Sequence, residues 1–273
     1  MSNIKQQGVV LIVVLWIVVL LTILLAAFTA TVKVDRHVAT DVLESVQARA
    51  SADGVLNYLT ALRTANPEVW LEMPGQVYKL GLNNVQVRFR LIPETAFISL
   101  NSASVNLLQT VFESAKIPDA QEIAELIVQR RSDSMNESTG EAATPKVLTS
   151  VLELSQLSQL NTEQLQVIQH WFTVDSEHEG VNLLFSEPSL IHALLQSEAE
   201  ELLAARAEGN EFEIDTLSTA FMQREQGDIV RVQVELSTSA SKRKIEATVA
   251  FDDGERGYHV VRWNEYNAHF SLE

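Results

Sequence analysis

Residues 8–28 read GVVLIVVLWIVVLLTILLAAF, and this stretch decides how the rest of the chain is organised. No residue from Val9 to Val32 is charged. The twenty residues from Val9 to Phe28 form a helix that rises about 1.5 Å per residue, just long enough to cross the roughly 30 Å hydrocarbon core of a bilayer. The sequence therefore predicts one transmembrane helix, assigned to residues 9–32, with the bulk of the chain following it.

Three interpretations of this helix remain open from the residues themselves. A secretory signal peptide has a shorter apolar core than this one, and the only candidate for its cleavage site here is Ala27-Phe28-Thr29. A signal anchor would keep the whole helix, although Lys5 and the basic residues after the helix give a weak orientation signal. The third interpretation is a prepilin-like leader, residues 1–8, which ends in Gly8 and is cut before Val9 while the helix stays attached.

The charge balance and the lack of cysteine exclude several classes of protein. The chain carries 20 basic and 36 acidic residues and no cysteine. Nucleic-acid binding needs clustered Lys and Arg to neutralise phosphates, so this balance argues against it. Without cysteine, disulfides, thiol redox chemistry and thiolate metal sites are excluded.

Helical periodicity continues beyond the membrane helix. Val38, Val42, Val46 and Ala50 form one apolar stripe. The helical pattern stops at Asn66-Pro67. Residues 33–66 are therefore predicted to be the part of one long helix that lies outside the membrane, with an amphipathic face that needs a folded domain to cover it.

Alternating patterns predict strands in two separate parts of the chain. The segments are 76–80, 85–92, 230–236, 245–251 and 258–263, with a possible short extension at 97–100. A sheet of this kind needs a covering element, and the long helix is the obvious one. We predict a single antiparallel sheet built from residues 67–100 and 211–273.

The chain between these parts, residues 101–210, carries helical spacing throughout. Six segments show it: 104–115, 119–131, 145–154, 161–172, 187–196 and 198–208. Residues 132–144 are polar and lack periodicity, so they are predicted to form a loop. The fold class predicted is α+β, with a large all-helical domain inserted in the sheet.

A weak internal repeat relates residues 98–108 to 181–191 at an offset of 83. Such modules resemble helix-hairpin-helix units of DNA-binding proteins. Ser114-Ala-Lys-Ile-Pro118 stands where the hairpin glycines would be, and the basic residues are missing. We interpret the pair as packing units and predict no DNA binding.

The chain as a whole resembles the K component of bacterial type II secretion systems, the large minor pseudopilin. Four features carry the resemblance: the leader ending in Gly8, the apolar Val13 at mature position five, the segment 98–103 (ISLNSA), and the segment 172–183 (FTVDSEHEGVNL) followed by 190–195. Nearly all other pilin-like subunits have Glu at position five. The resemblance implies cleavage between Gly8 and Val9 by the prepilin peptidase.

The resemblance also implies a position in the assembly. A Glu at position five needs the N-terminal amine of a subunit ahead of it, and without that subunit the carboxylate would be stranded among apolar groups. Val13 avoids that cost, and an enlarged head would collide with a subunit above it. Both features are expected of a subunit at the tip.

A calcium site is associated with the family's acidic Trp-x-Asp-x-Asp…Gly-x-Glu segment. The corresponding stretch here is 129–141, which retains Asp133, Glu137 and Glu141 but lacks the Trp and the first Asp. We name these three as candidate calcium ligands and commit to no metal site. The nearby acidic stretch 175–179, with its single His, is interpreted as a solvated loop.

The function expected from the resemblance is that of a non-enzymatic minor pseudopilin. It would cap the pseudopilus tip and help to initiate assembly, supporting export of folded proteins across the outer membrane. Its expected partners are the I and J minor pseudopilins, the prepilin peptidase and inner-membrane lipid. The expected location is the bacterial inner membrane, single-pass, with the C-terminal domain in the periplasm. Two alternatives stay open: a signal-anchored periplasmic enzyme or binding protein, and a minor pilin of a type IV pilus.

Overall fold

The computed structural model describes residues 4–82, 85–132, 148–157, 160, 162–208, 221–222, 225–237, 242–252, 254, 256–265 and 272. The chain divides into two compact units, Met1–Asp53 and Gly54–Glu273. The predicted loop at 132–144 lies almost wholly outside the described residues, because the structure describes nothing between 132 and 148.

The predicted long helix is confirmed. Helix α1 runs from Ile4 to Ala65, beginning five residues before Val9 and ending at the predicted Asn66-Pro67 step. The Asn66 amide donates to the Leu62 carbonyl at 2.8 Å and closes the last turn. Pro67, which has no amide hydrogen to continue α1, instead opens a short helix α2, Pro67–Glu72, that the sequence analysis did not anticipate.

One antiparallel sheet joins the two predicted β parts. Its first two strands are β1 (Val77–Leu82) and β2 (Val85–Pro93). Its last three are β5 (Ile229–Ser237), β6 (Lys242–Phe251) and β7 (Tyr258–Asn264). The order across the sheet is β1-β2-β5-β6-β7. Strand β2 pairs directly with β5, Pro93 opposite Val230, although more than a hundred residues separate them along the chain.

The apolar face of this sheet forms the core of the second unit together with the end of α1. Val87, Phe89 and Leu91 of β2 lie opposite the apolar residues of β5 and are 0–1 % exposed. Leu59 of α1 is fully buried, and the Tyr58 ring meets the Phe89 ring edge-on, with centroids 6.3 Å apart. Each such buried side chain contributes about 1.5–3 kcal/mol of hydrophobic stabilisation.

Six α-helices lie between β2 and β5 in the described part of the chain. They are α3 (Val105–Ser114), α4 (Ala120–Ser132), α5 (Leu154–Leu157), α6 (Thr162–Ile168), α7 (Pro188–Leu195) and α8 (Ala199–Glu208). They enclose a second apolar core, with Phe112 and Phe172 in ring contact at 5.5 Å. The predicted fold class, a long helix on an antiparallel sheet with an inserted helical block, is confirmed. The residue bounds assigned to its domains stay predictions.

Two helix predictions inside the block are wrong in part. Residues 148–150 are not helical; a 3-10 turn, Val151–Glu153, precedes α5. Ser150 and Glu153 form a capping box that starts a new turn there, so a helix could not run through Ser150 from the predicted start. The segment predicted as helix 161–172 ends at Ile168, and Phe172–Thr173 forms a strand, β4.

Candidate assembly site

The first unit presents an apolar helix surface that no described residue covers between Leu11 and Phe28. The large apolar side chains there are 44–72 % exposed, including Trp16 at 69 %. This is the one helix in the described part of the chain that is long and apolar enough to cross a membrane, with a mean hydropathy of 3.2 in its best window. A helix with these properties suits a single-pass anchor.

Polar groups within this apolar stretch are satisfied by the helix itself. The hydroxyls of Thr22, Thr29 and Thr31 donate to the carbonyls four residues earlier, at 2.8, 2.8 and 3.1 Å. Such internal bonding lets threonine lie in hydrocarbon, where no water is available to bond the hydroxyl.

No contact in the structure tests the site residues predicted on this helix, so they remain predictions. Gly8 and Val9 lie in α1, and their side chains are outside what the structure describes. Val13 is 51 % exposed, so about half of its surface is open to contact with lipid or with another helix. The candidate calcium ligands Asp133, Glu137 and Glu141 lie outside the described residues.

The first residue of the acidic stretch 175–179 forms an ion pair with strand β7. Both oxygens of Asp175 accept bonds from Arg262 of β7, at 3.0 Å each. These bonds raise the pKa of Arg262, and burial opposes the rise in part. Within the described part of the chain, no group of three or more His, Asp or Glu side chains is arranged to hold a metal ion.

The second unit places two of the sequence segments that carry the resemblance beside each other. Strand β3, Ile98–Ser99, pairs in parallel with β4, Phe172–Thr173. The amides of Ile98 and Leu100 donate to the carbonyls of Trp171 and Thr173, at 2.8 and 2.9 Å. The possible strand extension at 97–100 is therefore part of a separate two-stranded sheet within the helical block.

Asn101 fastens this small sheet to a third segment. Its side-chain amide donates to the carbonyls of Leu148 and Val174 at 3.0 Å each, and its side-chain oxygen accepts from the Leu148 amide at 2.9 Å. One planar side chain thus satisfies three backbone groups that the sheet leaves unpaired. The sequence analysis picked out residues 98–103 and 172–183 but did not expect them to touch.

A buried ion pair lies where the helical block leaves the sheet. The Glu94 carboxylate, 1 % exposed, accepts from Arg231 Nε and Nη2 at 2.8 and 3.2 Å and from the Thr173 hydroxyl at 2.5 Å. Burial acts to lower the pKa of Arg231, but the carboxylates of Glu94 and Glu246 outweigh it and the pKa is raised. The Arg231 guanidinium also lies 3.9 Å above the Phe97 ring.

We define the neck as residues 93–97 and 226–231, the two ends of the inserted block. Thr95 of the neck accepts from the Asn182 amide at 2.6 Å and donates through its hydroxyl to the Gln226 carbonyl at 3.3 Å. The Ser186 hydroxyl donates to the Ala96 carbonyl at 2.7 Å. These bonds hold the second resemblance segment against the neck.

Comparison with solved structures identifies the fold. A chain in the crystal structure of the GspK-GspI-GspJ complex from the enterotoxigenic Escherichia coli type 2 secretion system superposes with a TM-score of 0.56. The match covers 84 % of this chain and 98 % of that chain, at 14 % sequence identity. The chain has a pseudopilin fold. No protein-family model matches the sequence, and no curated protein does.

This pseudopilin fold accounts for the order of elements along the chain. The match covers 84 % of this chain, a larger share than the long helix and the sheet segments contain together, so it extends into the inserted helical block. At this identity the likeness concerns the fold alone.

Proposed function

We propose that the protein is a minor pseudopilin of a type II secretion system, of the K type, and that it acts without catalysis. The observation that carries the proposal is the combination of one apolar N-terminal helix with a pseudopilin fold that includes the inserted helical block. The protein would be held in the inner membrane by α1, with its second unit in the periplasm. It would join I-type and J-type minor pseudopilins at the tip and help to start pseudopilus assembly.

The proposed mechanism begins with processing of the leader. The prepilin peptidase cuts between Gly8 and Val9, and the apolar helix that follows remains attached. Since the side chains from Leu11 to Phe28 are covered by no described residue, they are available first for lipid and then for neighbouring pseudopilin helices. Packing between such helices in a membrane depends on close van der Waals contact and on satisfied polar groups.

Val13 supports placement at the tip. A carboxylate at this position would need a cation from a subunit ahead of it, and unpaired in hydrocarbon it would cost at least about 3 kcal/mol. Val13 makes no such demand. A subunit that carries valine here can sit with no subunit above it, in keeping with a head enlarged by an inserted block.

The first experiment determines the mature N-terminus. The full chain is co-expressed with a prepilin peptidase, and intact mass is measured after purification in detergent. The expected chain begins at Val9, and Gly8→Val should leave it beginning at Met1 while Gln7→Ala is still processed. A mature chain beginning at residue 29 or 30 would identify a secretory signal peptide and overturn the proposal.

The second experiment tests the partners and the tip position together. The full chain is co-expressed with the I and J minor pseudopilins of one system, and a tag on the J subunit is used for capture. Wild type and Val13→Leu should co-purify in equal amounts. Val13→Glu should be recovered less well, because its carboxylate has no amine to pair with. Failure of the wild type to co-purify would favour a periplasmic enzyme or binding protein. Improved recovery of Val13→Glu would place the protein in a pilus shaft.

A further inference from the structure

A groove of mixed polar and apolar lining, with acidic edges, lies in the helical block between the α3–α4 turn, α4 and α6. Its floor is formed by Ile117, Ile123 and Leu160, which are 5–8 % exposed, and by Leu126, which is 39 % exposed. The groove has a volume of about 520 Å³. That space would take one or two large side chains of a partner, so the floor is suited to an apolar anchor.

The groove is bounded on one side by the turn between α3 and α4, the region that resembles a helix-hairpin-helix. Lys116 and Asp119, which flank Ile117-Pro118 in this turn, both have positive φ, 56° and 57°. The Ile117 amide donates to the Phe112 carbonyl at 2.9 Å and holds the turn closed.

The charge around the groove distinguishes it from a nucleic-acid site. Asp119, Glu122 and Glu125 line its edge, and none of the described residues that line it is basic. Within the described part of the chain none of the three forms an ion pair. The positive end of the α4 dipole offsets Asp119 and Glu122 in part. Glu125 lies a turn further on and accepts only a neutral amide bond, from Gln121 at 2.8 Å. Phosphate would be repelled here.

The chain's own polar segment does not match the groove either. Residues 133–147, which follow α4, contain three acidic residues and one basic residue, Lys146. A second copy of this chain, with a net charge of −16, is also repelled as a whole. The occupant that fits is a protein segment of the opposite charge.

We propose that this groove docks a basic amphipathic segment of a partner protein. One apolar side chain of that segment inserts between Ile117, Ile123 and Leu160, and flanking lysine or arginine side chains pair with Glu122 and Glu125. The proposal rests on the groove alone and does not require the pseudopilin function. Ion pairs at the exposed edge would speed association and set specificity, while the buried apolar anchor would slow dissociation.

The test uses the full chain in detergent micelles and a labelled peptide of alternating Leu and Lys as the probe, with binding followed by fluorescence anisotropy. The groove variant is Glu122→Lys/Glu125→Lys. The control variant is Glu68→Lys/Glu201→Lys, which makes the same charge change at exposed positions on α2 and α8 that do not line the groove. Leu126→Ser tests the apolar floor, and circular dichroism confirms that each variant is folded.

The expected result is a loss of affinity of about tenfold or more in the groove variant and less than about twofold in the control. Leu126→Ser should lose about threefold or more, at about 0.5 M salt as well as at low salt, since salt screens only the charges. Equal losses in groove and control variants would mean non-specific attraction to an acidic protein and would overturn the proposal. Equal or tighter binding of an alternating Leu-Glu peptide, or of a DNA duplex, would also overturn it.

Discussion

Replacing Arg231 by Met should destabilise the second unit by about 3–5 kcal/mol, the range expected when one partner of a buried ion pair is removed. The reason lies in what remains around Glu94, whose side chain is 1 % exposed. The carboxylate loses bonds of 2.8 and 3.2 Å to Arg231 and keeps the Thr173 hydroxyl at 2.5 Å. One neutral hydroxyl does not compensate a buried charge.

Thermal unfolding of the full chain in detergent measures this change. For a unit of this size about 1 kcal/mol shifts the melting temperature by roughly 2–4 °C, so a decrease of roughly 6–20 °C is expected. Arg63→Met is the matched control, because Arg63 pairs at 3.3 Å with Asp228, whose side chain is 78 % exposed. Exposed pairs contribute about 0–1 kcal/mol, so the control should shift the melting temperature by only a few degrees.

A second readout locates the effect. Hydrogen exchange at the amides of Ile98 and Leu100 should accelerate in Arg231→Met, since these amides bond to the strand that carries Thr173. The double variant Glu94→Gln/Arg231→Met should be more stable than Arg231→Met alone, because it leaves no buried charge. A cost below about 1 kcal/mol for Arg231→Met, or additive costs in the double variant, would refute this account of the pair.

Three further changes test other parts of the second unit. Asn101→Ala should lower the free energy of unfolding, measured in urea, by about 2–3 kcal/mol, because three backbone groups lose their hydrogen-bond partner. A change near zero would contradict the bridging role of Asn101. Gly257→Ala should destabilise by about 1–3 kcal/mol, because Gly257 has φ +70° and a Cβ there would lie 2.4 Å from Thr60 Cγ2, whereas Gly81→Ala, with nothing within 4 Å, should be nearly neutral. The hydrogen bond from His259, at 2.9 Å, and the Gly254 amide lower the pKa of Asp252 below 3.8. The stability that Asp252 contributes is therefore present above that value and is lost as the pH falls through the lowered pKa. NMR titration of the Asp252 carboxyl group should give a pKa below 3.8, and His259→Ala should move it back towards 3.8.

Periodicity alone predicted the elements that bury one continuous face. The alternation at 85–92 and 230–236 fixed which side chains of β2 and β5 meet the core. The Asn66-Pro67 stop fixed the end of α1. The alternating residues of β2 and β5 are local in sequence and also form the buried surface, so sequence and structure agree there. The apolar stripe of α1 was wrong as a buried face, because Val38, Val42 and Val46 are 57–61 % exposed.

The site features depend on contacts that local patterns do not encode. Strands β3 and β4 are two residues each and are 74 positions apart, too short for any periodicity to show. Glu94 and Arg231, read along the chain, look like ordinary solvent-facing residues next to a strand. Both side chains are nevertheless largely withdrawn from solvent, as are Gln233 and Glu235 on the same polar side of the sheet, which are 6 and 3 % exposed. Alternation along a strand does not show whether its polar face will be buried.

The neck explains how a sheet tolerates an insertion of this size between two paired strands. Because Pro93 lies opposite Val230, the insertion leaves and re-enters at neighbouring points, and the register of β2 and β5 is undisturbed. Glu94 is the first residue after β2. Arg231 lies in β5, one residue from the end of the pairing between β2 and β5. Their buried pair therefore joins the two ends of the insertion, and Thr173 ties the same carboxylate to the middle of the block. The same three side chains therefore hold the insertion to the sheet at both of its ends and at its middle.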